Sequence, residues 1–171
     1  SSNIKDLRLE NSYIYGSEHH VGSIAGRGNG TFDKIYSDAT VVSGGYNAGG
    51  IIGQMNEGAN NQMTDCWFDG SVTGNRAGGI VGFALCYKLT MTNCLNTGSV
   101  SAGENVGGLC GSRGGEASPN YFTIRNSIAV GELTGTNNAN VGAIIGSIEA
   151  GKEVDANFVY GRTEYSVVGK N

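Results

Sequence analysis

Four cysteines, two adjacent histidines and a few scattered carboxylates are the residues of this 171-residue chain best suited to chemistry. Cys66 and Cys94 stand in the matching phrases Asp65-Cys66-Trp67 and Asn93-Cys94-Leu95. Stacked one above the other, such residues lie within disulfide range, or they pack as small reduced hydrophobes. In-register strand positions point their β-carbons in parallel, which opposes the disulfide dihedral, so reduced, buried thiols are expected. Cys110 takes a place held by Val81 and Ile52 in related segments and is expected in the core, whereas Cys86 is the thiol expected at the surface. A zinc site would need His19 and His20 to converge with distant cysteines, because no Cys-x-x-Cys or His-Glu-x-x-His spacing occurs.

A lyase or glycosidase site needs Asp or Glu clustered with a cation on one face. Asp38, Asp65, Asp69 and Arg76 are the candidates, but Asn93 and Asn96 fill the corresponding stretch further on, the mark of turn or ladder positions. No Asp recurs after the Gly pairs at a fixed offset, as a calcium-binding glycine array would require. No catalytic residue, cofactor or metal ligand is therefore assigned. Tyr46, Tyr87, Tyr121 and Tyr165 are available to stack on sugars, and equally to cover core beside loops.

The element that must position these residues is a repeat. Gly49-Gly50-Ile51-Ile52-Gly53 returns as Gly78-Gly79-Ile80-Val81-Gly82 and Gly107-Gly108-Leu109-Cys110-Gly111. Degraded copies are Gly142-Ala143-Ile144-Ile145-Gly146 and Gly22-Ser23-Ile24-Ala25-Gly26. The closing glycines are spaced by 27, 29, 29 and 35 residues, a period of about 29. Upstream, Met63-x-x-Cys66-Trp67, Met91-x-x-Cys94-Leu95, Ile124-x-x-Ser127-Ile128 and Phe32-x-x-Ile35-Tyr36 share a frame, extended to Leu9-x-x-Ser12-Tyr13 and Val154-x-x-Asn157-Phe158. The units span about 1–26, 31–53, 62–82, 90–111, 122–146 and 154–171 of a single domain, with both ends suggesting a piece of a larger protein.

Short alternating runs of β-branched and aromatic residues bounded by Gly and Asn are strand chemistry. A unit of two or three strands cannot bury its own apolar face, so copies must stack. Propeller blades need roughly 40 residues, more than the period supplies. The expectation is an all-β, right-handed parallel β-solenoid. Its inward columns are Ile51/Ile80/Leu109/Ile144, Val72/Val100/Leu133 and Ile35/Cys66/Cys94/Ser127, with surface loops at 54–61, 83–90, 112–121 and 147–153.

Composition excludes several classes. Glycine supplies 30 residues without a three-residue period and proline only one, so the chain is not collagen. A hydrophobic share of 39% against 15% charged argues for a packed core rather than disorder. A net charge of −4 with no basic stripe makes nucleic acid and anionic membranes poor partners, and no apolar run is long enough to insert into a bilayer.

The Gly-Gly-[Ile/Leu]-[Val/Ile/Cys]-Gly pentad, preceded by Asn93-Cys94-Leu95-Asn96-Thr97-Gly98-Ser99-Val100, resembles the GLUG motif of bacterial surface and secreted proteins. The resemblance spans essentially the whole chain and is closest at 62–82 and 90–111. It implies an extracellular or cell-surface setting, as in adhesin-like proteins and IgA-specific metallopeptidases. The expected role is a non-catalytic module that spaces, or binds host protein or glycan, within a larger parent chain. The alternative is an accessory segment of a secreted enzyme, either IgA-peptidase-like or polysaccharide-active.

Overall fold

The computed structural model describes residues 2–58, 60–115 and 121–170. Among the described residues every regular element is a strand, and no helix long and apolar enough to cross a membrane occurs. Neighbouring strands pair in parallel about one repeat apart, so the chain is an all-β parallel β-solenoid of about five turns. Three sheets run along the stack, with ten, eight and six strands. One coil reads Asn61–Thr64 and Trp67–Phe68 in the first sheet, Ser71–Gly78 in the second and Val81–Leu85 in the third.

Two corners fix each coil. At the first, Asp6, Lys34, Asp65, Asn93, Asn126 and Phe158 all take left-handed backbone, with φ between 49° and 55°. Asp and Asn tolerate that region best among residues with a β-carbon. At the second, the pentad folds the strand back so tightly that a β-carbon on Gly49, Gly78, Gly107 or Gly142 would overlap the carbonyl oxygen three residues on. The closing glycine faces the backbone of the preceding strand: a β-carbon on Gly82 would sit 2.5 Å from the Gly53 carbonyl oxygen. The repeated pentad is the chemistry of this close approach.

The expected columns are inside. Ile51, Ile80, Leu109 and Ile144 are buried, and each successive backbone N–H of that column donates to the next carbonyl at 2.9–3.0 Å. Val72 pairs with Val100, and Val100 with Leu133; the same column continues to Val41 and Ile14 in the opposite direction. Ile35, Cys66, Cys94 and Ser127 are all buried, and the Cys94 N–H donates to Ser127 Oγ at 3.1 Å.

The frame slips at both ends. Phe32 and Ile35 pair with Ile4 and Leu7, not with Leu9 and Ser12; Ile124 pairs with Ala156, not Val154. The left-handed corner sets the register, and it falls at Asp6 and Phe158. The intervening segments are also less loop-like than expected. Strands Ile52–Met55, Val81–Leu85, Cys110–Gly114 and Ile145–Ile148 run into them and bury Met55, Ala84 and Arg113. Residues 59 and 116–120 of the expected loops lie outside the described residues. Arg113 is accommodated in the interior by donating to the carbonyl oxygens of Ala84 (2.9 Å), Cys86 (2.8 Å) and Gly114.

Candidate functional site

Cys66, Cys94, Cys86 and Cys110 are free and buried. Cys66 and Cys94 spend their thiol protons on the carbonyls of Phe32 or Thr64 and of Met63 or Thr92. The Cys94 thiol is raised well above its ordinary pKa by its contact with Cys66 and by burial. Cys86, expected at the surface, is only 2% exposed, and its carbonyl accepts from Arg113 at 2.8 Å. Burial pushes its pKa to about 11, and that of Cys110 to about 12, against the opposing pull of Arg113.

The candidate carboxylates separate from their cation. Arg76 lies in the second sheet, bonded to Glu104 at 3.0 and 3.2 Å, with its guanidinium 5.4 Å from the Phe83 ring. It belongs to a polar seam between the second and third sheets. There Asn47 donates to Gln54 at 3.1 Å and contacts His20 Nδ1 at 3.0 Å, and Asn140 donates to Asn105 at 2.7 Å. Burial, Arg27 and His19 hold the His20 pKa below its ordinary value. The seam opens into a cleft of about 370 Å³ beside Glu104, Asn140, Ser147 and Lys170. Among the described residues no group of three or more His, Cys, Asp or Glu stands close enough to hold a metal ion.

Asp38, Asp65 and Asp69 belong instead to the outer face of the first sheet. Burial alternates strictly along 65–69, with Cys66 and Phe68 inward and Asp65, Trp67 and Asp69 outward. The next coil repeats this with Asn93, Leu95 and Thr97, and the following one with Asn126, Ile128 and Val130. The coil above presents Tyr36 beside Trp67. A central column therefore runs Arg8, Tyr36, Trp67, Leu95, Ile128, Tyr160 along the stack axis.

This column is organised at its upper end. The Arg8 guanidinium lies 3.9 Å from the Tyr36 ring centre and is held by Glu10 at 2.5 Å. Tyr36 meets Trp67 edge-on, with centroids 4.9 Å apart. Trp67 Nε1 donates to Thr97 Oγ1 at 2.8 Å, and Thr97 Oγ1 donates to Asp69 Oδ1 at 2.5 Å. On the other flank Asn93 donates to Asp65 at 2.9 Å. The indole is 39% exposed, yet its polar atom is already satisfied, so it offers ring surface alone.

The tyrosines singled out from sequence divide. Tyr46 stacks on His19 at 5.2 Å, and Tyr87 and Tyr121 are exposed where two strands of the first sheet begin. Tyr165 is a part-buried cover, donating to the Leu133 carbonyl at 3.2 Å. Tyr36 and Trp67 were not among them. The signal for Trp67 is its place between two inward residues, Cys66 and Phe68, which forces it outward.

No family model matches the chain, and no solved structure matches it. The chain is similar to halomucin of Haloquadratum walsbyi, 42% identical over 65 residues that make up 37% of this chain. The match covers about 1% of halomucin's length, so what is similar is a short stretch of a very long protein.

Proposed function

We propose that this chain is a non-catalytic repeat module of an extracellular protein, at the cell surface or secreted, that binds ligand while spacing its neighbours. The observation that carries this reading is the outer column centred on Trp67, an exposed aromatic held in one orientation by the Thr97–Asp69 relay. A large aromatic left in water and fixed there is characteristic of a recognition surface. Similarity to a stretch of a protein named as a mucin supports the extracellular setting. The pentads' resemblance to GLUG repeats supports a bacterial surface or secreted parent.

The test is a screen of the purified chain against immobilised glycans and extracellular host proteins, beside an assay for polysaccharide and peptide cleavage. Saturable binding without turnover is expected. Turnover with blank binding screens would replace this reading with that of an enzyme segment.

A further inference from the structure

We propose that the outer face of the first sheet binds a neutral hexopyranose polysaccharide laid along the stack axis. Its sugar rings would rest on Trp67, Leu95 and Ile128. The inference rests on the binding-module reading and adds the ligand's chemistry and its position.

The width of the apolar column selects the ligand. It is one side chain wide, bordered on one side by Asp65, Asn93 and Asn126 and on the other by Asp69 and Thr97, giving way to Val130 only in the lowest of these coils. A stable protein partner buries about 800 Å² on each side around an apolar centre, which such a strip does not supply. A pyranose ring has the matching section: apolar C–H groups on its face and hydroxyls around its rim. The C–H groups meet the electron-rich indole face, and the hydroxyls reach acceptors on both flanks.

Charge narrows the class. Asp65 and Asp69, which flank Trp67, accept hydrogen bonds from hydroxyls and repel the carboxylates or sulfates of an acidic polymer; Lys34 stands one coil above this stretch, and Arg125 at its lower end is paired with Asp155 at 3.5 Å. Arg8, engaged by Glu10 and laid on Tyr36, closes the upper end, so contact with the polymer starts at Trp67. The relay through Thr97 fixes the indole before any ligand arrives, which lowers the ordering cost of binding. Successive coils repeat the surface at about 4.8 Å, the strand spacing, so an extended chain meets equivalent groups along its length.

Trp67 is the sole tryptophan, so intrinsic fluorescence reports directly on this face. Titration with a soluble β-glucan, a galactomannan and a polygalacturonate is expected to shift the emission saturably with a neutral polymer. The effect should be insensitive to salt from about 50 to about 500 mM and at least about tenfold weaker with the polyuronate. In affinity electrophoresis Trp67→Ala, with unchanged circular dichroism, is expected to weaken binding about tenfold, a loss of stacking worth about 1.4 kcal/mol. Asp69→Asn, an outward substitution that leaves the core intact, is expected to weaken it severalfold. Equal binding by Trp67→Ala, preference for the polyuronate, or silence with every neutral polymer would overturn the proposal. Binding of wild type and Trp67→Ala alike to glycan or host-protein arrays would then place the ligand elsewhere and leave the module reading intact. Blank arrays for both would remove that reading as well.

Discussion

Trp67 Nε1 sits 2.8 Å from Thr97 Oγ1, so a residue of one coil holds the indole of the coil above it. Replacing Thr97 by Val removes that acceptor and the donor to Asp69, while keeping an exposed β-branched residue on the strand edge. A stability loss of about 1 kcal/mol is expected from the lost bonds. The diagnostic change is in motion: fluorescence anisotropy decay of Trp67 should gain a fast component that the wild-type protein lacks.

The pentad turn tolerates no side chain at its first glycine. Gly78→Ala forces the β-carbon into the Val81 carbonyl and toward the backbone of Gly111, so the arch must open. The expected cost is about 3 kcal/mol, at the upper end for overpacking, seen as a lowered urea midpoint. Gly151→Ala is the control: its φ is +76° but nothing lies within 4 Å, so only backbone strain of about 1 kcal/mol applies.

Phe158 is a correctable fault. It occupies the left-handed corner with φ 53° and is 88% exposed, so its ring contributes little packing. Phe158→Asn restores the residue type found at Asn93 and Asn126 and is expected to stabilise the chain by about 1 kcal/mol. Hydrogen exchange of the last coil is the sensitive measurement, since a gain there slows exchange at 154–161 first.

The interior thiols set an alkaline limit. Cys86 and Cys110 ionise near 9.0 when exposed, but only near about 11 and about 12 when folded. The folded protein therefore keeps protons that the unfolded chain releases. Stability should be flat through neutral pH and fall above about pH 9, by up to about 1.4 kcal/mol per pH unit for each thiol. Urea denaturation as a function of pH checks this; Cys86→Ala should reduce the slope. Iodoacetamide at pH 8 should label the four cysteines only after unfolding.

The middle of the stack was legible because its residues obey local rules. Pentads 78–82 and 107–111 state their glycine requirement openly, and Cys66 and Cys94 share a frame because the left-handed corner before them is Asp65 or Asn93. The ends were misread for the converse reason. A phenylalanine at the corner put Phe158 in the place of Trp67 and Leu95 in the frame, and Leu9 offered a false apolar start in the first coil. A guanidinium beside glycines reads as loop, whereas the carbonyls of Ala84 and Cys86 in the preceding coil and of Gly114 in its own accept the hydrogen bonds of Arg113 inside. The aromatic column is implicit in the same alternation along each strand: with Cys66 and Phe68 inward, Trp67 between them faces out.

The backbone bonds that join one coil to the next, such as Ile80 to Leu109, lie along the stack axis. Tension applied along that axis pulls each such bond lengthwise, and the coils bear the load in series rather than together. The weakest coil yields first and releases about 29 residues, or roughly 100 Å of slack, before its neighbour is loaded. A solenoid of this kind limits force by lengthening in steps.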